Sequence, residues 1–325
     1  MNQNKNRKPS PPQQRVLPKV ITVIMFSLAV YFIWDLIANA NPEILMTAAG
    51  ISSRDPVRQR PAADPVPIQA TDGLQTGSPP EIEEPMYFRQ ISLSEITPTP
   101  YLKLVNRAIS IQSPINADYL VNVWPGSPAR DLNVMLHATA SAAIRDLLTE
   151  ARSAGFSGLY VADGYRTYNE QSRLFANIAD KTYVMPAGHS EHQLGLAADI
   201  LSVDGNSNGM RGTAEAQWLA ENAPRFGLIL RYPYDKQDIT EVAYEPWHFR
   251  YVGRVHAFIM GEYGFVLEEY IEFLRERETY ETEIDGKTYL IMYQRPENGK
   301  ISVLEHWVHT VSDANTGGYI ITAWR

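Results

Sequence analysis

Two short stretches of this sequence place histidine and carboxylate side chains where they could hold a metal ion and move a proton. His192 and Asp199 stand in Ser190-Glu-His-Gln-Leu-Gly-Leu-Ala-Ala-Asp199, and His248 closes Glu245-Pro-Trp-His248. Catalytic zinc commonly takes three nitrogen or oxygen ligands and leaves a fourth position to water. With no cysteine in the chain, His192, Asp199 and His248 are a natural set of that kind. A His and an Asp seven positions apart are nevertheless a loose pattern by themselves. Gly195, Ala197 and Ala198 are small and allow the backbone close to such a site. On a strand, Ala197, Asp199 and Leu201 share one face, so Asp199 can enter a cleft while Ile200 packs into the core.

Glu245 carries a separate problem. Pro246 disfavours the helical region for the residue before it, so Glu-x-x-His here is not the helical metalloprotease motif. In a regular strand Glu245 and His248 face opposite sides. They meet only if the chain bends or bulges at Pro246. By spacing alone the simpler reading is an exposed edge-strand glutamate. His189 reads as a solvated residue, or one beside the site. His137 and His256 read as packing or capping residues on helical stretches, and His306 and His309 as surface residues of a strand. The aromatic clusters at 249–251 and 263–273 read as core before they read as ligand platforms.

The elements that must position these residues form a mixed α+β pattern rather than regular βαβ alternation. Leu136, Ala140, Ile144, Leu147 and Ala151 mark one helical face within Val134–Arg152, ending at Gly155. Strands are expected at 159–162, 197–203, 228–232 and 247–252, and a helix at 168–178. A polar loop falls at 204–209. Thr213 caps a helix that Gly227 closes, and 255–277 is helical with a break near Gly261–Gly264. The tail changes character: Asp285-Gly286 and Asn298-Gly299 are two-residue hairpin turns between β-type runs, 301–311 and 318–324 among them.

The 325 residues allow two domains and a sizeable core. The missing cysteines exclude disulfides, thiolate metal sites and cysteine nucleophiles. A net charge of −8, with no Lys/Arg run in the folded part, argues against a nucleic-acid partner. The N-terminus is different. Residues 1–19 carry Lys5, Arg7, Lys8, Arg15 and Lys19 and no acid, and Val20–Trp34 has no charge. This reads as an export anchor with its basic end cytoplasmic. The rival is a signal peptide cleaved at Ala38-Asn39-Ala40. Eight prolines in 41–85 mark an extended spacer. The expected organisation is therefore a basic segment and anchor (1–40), a Pro-rich extracytoplasmic linker (41–85), a catalytic domain (86–278) and a small C-terminal β extension (279–325).

Three blocks taken together, Asp163-Gly-Tyr-Arg-Thr, Ser190–Asp199 and Tyr244-Glu-Pro-Trp-His-Phe-Arg-Tyr-Val-Gly253, resemble the D-alanyl-D-alanine carboxypeptidase family of the VanY type over roughly residues 96–275. The resemblance implies a Hedgehog/DD-peptidase fold, an antiparallel sheet flanked by helices. It implies one zinc per chain on His192, Asp199 and His248, with Glu245 as the catalytic carboxylate and Arg166 over the scissile carbonyl. Gln171 and Ser190 would line the substrate pocket, with Trp247 and Tyr232 as further pocket residues. The implied activity is removal of the C-terminal D-alanine from peptidoglycan stem peptides outside the membrane. Each required role then has an occupant: a metal-activated water, a carboxylate to shuttle its proton, a guanidinium for the developing oxyanion, and donors for a terminal carboxylate. L,D-carboxypeptidase and D,D-dipeptidase activities remain open alternatives, as does a non-hydrolytic binding module on the same fold. The retained Glu245 and Arg166 speak against the last.

Overall fold

The computed structural model describes residues 86–113, 115–123, 134–203 and 210–325. The anchor expected at 1–40, the spacer at 41–85 and the polar loop at 204–209 lie outside the described residues. In chain order the strands are β1 (Phe88–Ser92), β2 (Leu120–Asn122), β3 (Met135–His137), β4 (Leu159–Asp163), β5 (Ala197–Ser202), β6 (Leu228–Leu230), β7 (His248–Tyr251), β8 (Thr279–Ile284), β9 (Lys287–Gln294), β10 (Lys300–Leu304), β11 (Val308–Asp313) and β12 (Tyr319–Trp324). The longer helices are α1 (Ala138–Ser153), α2 (Tyr168–Asn177), α3 (Ala214–Asn222), α4 (Arg254–Tyr263) and α5 (Leu267–Arg277).

A four-stranded antiparallel sheet, in the order β4-β5-β7-β6, is the platform of the molecule. Helix α1 buries Ile144, Leu147 and Ala151 against Leu159, Val161, Ala198, Ile200 and Phe249 of that sheet, and α3 adds Ala216 and Leu219. Ala140 packs with Val105, Leu194 and Leu196. Leu136, whose spacing places it on the same helical face, belongs instead to β3, which pairs with β2 opposite Val121. Local signals set the helix boundaries. Thr167 and Glu170 form a reciprocal capping box at the start of α2. Thr213 caps α3 through the Ala216 amide, and a short 3-10 turn with Pro224 follows before the chain closes at Gly227. Gly264, in the left-handed region, separates α4 from α5. No described helix is long and apolar enough to cross a membrane.

The C-terminal strands form a second antiparallel sheet, in the order β11-β12-β9-β8. Asp285-Gly286, with φ of 53° and 71°, makes the two-residue turn between β8 and β9. The stretch 301–311 is not one strand: the chain turns through His306, at φ 35°, between β10 and β11. Alternation along β9 splits its side chains between two cores. Leu290 and Met292 join Ile91, Ile301, Val303 and Ile321. Ile291 and Tyr293 join Ile320 and the α5 residues Leu267, Tyr270 and Ile271. Strand β10 takes its partner from the other end of the described chain, pairing antiparallel with β1 from Phe88↔Leu304 to Ser92↔Lys300.

Candidate active site

Strands β5 and β7 are neighbours, and their register sets Asp199 directly opposite His248. His192 reaches the same point from a 3-10 turn, Glu191–Leu194, that precedes β5 and is closed by Gly195 at φ 63°. That left-handed φ, with the His137 backbone nitrogen 3.1 Å from where a Cβ would sit, favours glycine at this turn. The His192 ring is fixed from behind by the Gly164 carbonyl, 2.6 Å from Nδ1. That contact puts the proton on Nδ1 and leaves the Nε2 lone pair facing Asp199. Gly164 itself packs tightly: a Cβ there would lie 2.5 Å from the Met135 carbonyl oxygen.

Asp199 Oδ1 lies 3.5 Å from His192 Nε2 and 3.0 Å from His248 Nδ1, and one donor atom from each of the three residues lies within 4.8 Å of the others. Zinc bonds of about 2.0–2.1 Å at tetrahedral angles put neighbouring donor atoms ~3.3 Å apart. The observed contacts bracket that value, so the donor set fits a zinc ion. In the protein alone, burial works against the Asp199 carboxylate, but His192 and His248 hold it well below the usual range. Burial would lower the His248 imidazole, yet hydrogen bonding to Asp199 and Glu191 raises it to about 9.

Glu245 is buried, which corrects the exposed edge-strand reading. The chain turns at Pro246 before β7 begins: the His248 amide donates to the Glu245 carbonyl at 3.2 Å, and the Glu245 amide donates to the Tyr232 carbonyl at 3.0 Å. This turn brings Glu245 Oε2 to 3.7 Å from His248 Nδ1. Burial pushes the Glu245 carboxyl up to about 8, with His248 opposing and Asp199 adding to the rise.

Arg166 follows β4 and is clamped on three sides. Its Nε donates to Asp163 Oδ2 at 2.9 Å, its Nη1 donates to Gln171 Oε1 at 2.6 Å, and its Nη2 lies 3.7 Å from Asp199 Oδ2. Gln171, in α2, is fully buried behind the guanidinium, and its amide nitrogen donates to the Met185 carbonyl at 2.6 Å. Its carbonyl thus serves to fix Arg166. Ser190 is buried immediately before the Glu191–Leu194 turn. Tyr232 is buried with its ring centroid 4.9 Å from that of His248. Trp247 is half-buried beside Tyr183. The Arg211 guanidinium lies near both of these rings, donating to the Tyr183 hydroxyl at 3.0 Å and to the Tyr244 carbonyl at 2.6 Å.

The other histidines stay apart from this cluster. His189 contacts the Asn106 carbonyl, His137 caps α1 through the Thr139 amide, and His306 is exposed. The residues that sequence reasoning missed are charged and lie behind the ligands. Glu191, Arg231 and Arg250 are all buried, with Arg231 Nε and Arg250 Nη1 each 2.8 Å from Glu191 Oε1. The available signal was a lone arginine at the end of one apolar run, Leu228–Arg231, and inside another, Phe249–Val252, since such residues are buried only when paired.

The VanY family model, described as D-alanyl-D-alanine carboxypeptidase, matches residues 133–254, which hold every residue of this site. A bifunctional D-Ala-D-Ala dipeptidase and D-Ala-D-Ala carboxypeptidase of Enterococcus gallinarum, VanXYC, is 39% identical over 128 residues, 36% of this chain and 67% of that protein. The chain belongs to the VanY-type carboxypeptidase family. Another relative, a D-alanyl-D-alanine carboxypeptidase of Enterococcus faecium, is 36% identical over 208 residues, 64% of this chain and 66% of the relative. The chain thus spans just under two thirds of that protein's length. Among solved structures, the vancomycin-resistance D,D-dipeptidase VanXYg, in complex with a D-Ala-D-Ala phosphinate analogue, superposes with a TM-score of 0.64 at 29% identity. The match covers 74% of this chain and 100% of that one. The antiparallel sheet flanked by helices is therefore the fold of this VanY-type family.

Proposed function

We propose that this VanY-type chain is a zinc-dependent carboxypeptidase, with one zinc per chain, that hydrolyses the C-terminal D-alanine of peptidoglycan stem peptides. The observation that carries the reading is the convergence of His192 Nε2, Asp199 and His248 Nδ1 beside a buried Glu245. His192, Asp199 and His248 are the residues that would hold the ion. Zinc supplies the Lewis acidity that makes water a nucleophile near neutral pH. Glu245 takes the proton of the attacking water and passes it to the leaving amine. Burial equips it for this, because a desolvated carboxylate holds a transferred proton more strongly than one in water. Arg166, held by Asp163 and Gln171, meets the oxygen on which negative charge develops. Ser190 serves the terminal carboxylate of the substrate, and Gln171 shapes that pocket by holding Arg166 in place. Trp247 and Tyr232 line the pocket.

Placement follows from the sequence. Residues 1–40 act as an export anchor and 41–85 as a spacer, so that 86–278 with its extension 279–325 works outside the membrane. Partition of the full chain with membranes supports this, and a soluble chain beginning at Asn41 would show cleavage instead.

Dipeptidase activity is the second reading, favoured by the dipeptidase activities named for the VanXYC and VanXYg relatives. One assay separates the readings: amino acids released by the zinc-loaded chain from an acylated peptide ending in D-Ala-D-Ala, from a tetrapeptide stem and from free D-Ala-D-Ala. Release from the first substrate, lost in Glu245→Gln with zinc retained, supports the proposal. Release from the dipeptide alone would replace it.

A further inference from the structure

Glu191 has no part in the chemistry proposed above, yet it is only 1% exposed and sits against a residue of the site. In β7, His248 and Arg250 are two positions apart and share one face of the sheet. Glu191 spans both. Its Oε1 accepts a hydrogen bond from Arg231 Nε and is ion-paired with Arg250 Nη1, each at 2.8 Å. Neither arginine is free to move. Arg250 Nη2 donates to the Tyr101 and Lys103 carbonyls, and Arg231 makes two further hydrogen bonds to Glu268. With Oε1 pinned, Oε2 is aimed at His248 Nε2, 3.5 Å away. Both of these atoms are buried, and neither makes a hydrogen bond to another group among the described residues. A buried donor or acceptor left unpaired costs about 1–3 kcal/mol, so each of two such atoms facing each other is the other's natural partner.

We propose that Glu191 is a positioning residue: its Oε2 accepts the Nε2 proton of His248 and so fixes the tautomer in which Nδ1 faces the ion. The inference rests on the zinc reading of the site. Carboxylate partners of this kind hold ligand imidazoles in place, and their loss typically weakens metal binding about 10–100-fold. The geometry makes one substitution especially informative. In Glu191→Gln the two arginines require the amide oxygen, which turns the NH2 group toward His248 Nε2. That nitrogen must then accept, its proton moves to Nδ1, and the ligand lone pair is lost.

The test measures zinc affinity by chelator competition on the full chain, with the visible spectrum of the cobalt-substituted protein as a second readout. Glu191→Gln is expected to weaken zinc about 10–100-fold and to alter the cobalt spectrum. Glu268→Gln loosens Arg231 from its far side and never touches His248. It is expected to lower thermal stability while leaving the affinity and spectrum unchanged. Unchanged affinity in a folded Glu191→Gln, or equal losses in both variants, would overturn the role. Should Glu191→Gln fail to fold, nitrogen NMR of the histidines in the zinc-loaded wild type decides. A proton on His248 Nε2 sustains the proposal, and a proton on Nδ1 overturns it. A wild-type chain that takes up neither zinc nor cobalt would overturn the zinc reading itself, and this proposal with it.

Discussion

Acid should destabilise the protein through His256, a residue that has no role in the proposed chemistry. His256 is buried in α4, with Nδ1 2.7 Å from the Tyr270 hydroxyl and Nε2 2.9 Å from the Thr322 hydroxyl. No carboxylate among the described residues contacts the ring, and burial pulls its pKa down from an ordinary 6.5 to about 3. The unfolded chain therefore binds this proton below pH 6.5 and the folded chain does not, so stability falls as pH falls. Stability from this group is complete above about pH 6.5 and is lost progressively between there and pH 3. At pH 5 the loss is about 2 kcal/mol, from one and a half pH units at 1.36 kcal/mol each. For a domain of this size, that corresponds to roughly 4–8 °C in melting temperature. The assay is urea unfolding at pH 7.5 and at pH 5 in excess chelator, so that metal release adds nothing. Wild type is compared with His256→Gln, which keeps a donor and an acceptor but cannot titrate. Carboxylates contribute equally to both proteins, so the difference between them isolates His256. If both lose the same stability between the two pH values, the burial argument is wrong.

Three further outcomes concern the site. His248→Ala should abolish stoichiometric zinc, since three protein ligands are the usual catalytic minimum, and metal analysis of the purified variant checks this. Arg166→Lys should cut turnover by at least about tenfold with zinc retained, because lysine keeps the charge but cannot reach Asp163 and Gln171 together through a planar fork; steady-state kinetics beside metal content decides it. Gly164→Ala places a methyl group 2.5 Å from the Met135 carbonyl oxygen. Relief of that overlap moves the carbonyl holding His192, with a stability cost of about 1–3 kcal/mol and weaker zinc binding, read by urea unfolding and chelator competition.

The features legible in the sequence were those set by neighbouring residues. Thr213 and Asp285 with Gly286 announced a helix start and a hairpin turn, because capping and turn conformation are decided within four residues. Leu136 misled for the converse reason: its spacing fits the helix, yet pairing with Val121 holds it in a strand. The β1–β10 ladder had no local signal, since its partners lie about two hundred positions apart. The spacing of His192, Asp199 and His248 was loose by itself, and only the three blocks taken together, through their resemblance to the family, singled the set out. Glu245 looked exposed by spacing because a strand was assumed where the chain turns at Pro246. Glu191 was harder still. A glutamate amid polar neighbours looks solvated until two arginines from other elements are found against it.

The pairing of β1 with β10 also decides how the enzyme would bear mechanical load. Tension arriving along the chain from before Met86 enters at Phe88 and meets five paired residues, Phe88↔Leu304 to Ser92↔Lys300, on a sheet separate from the catalytic one. The ladder shares that load with the C-terminal strands packed around Ile91 and Ile301. Asp199 and His248, on β5 and β7, lie beyond it along the chain. A protein tugged by its N-terminus would yield first at this ladder, while the spacing of its ligand atoms stays as it was at rest.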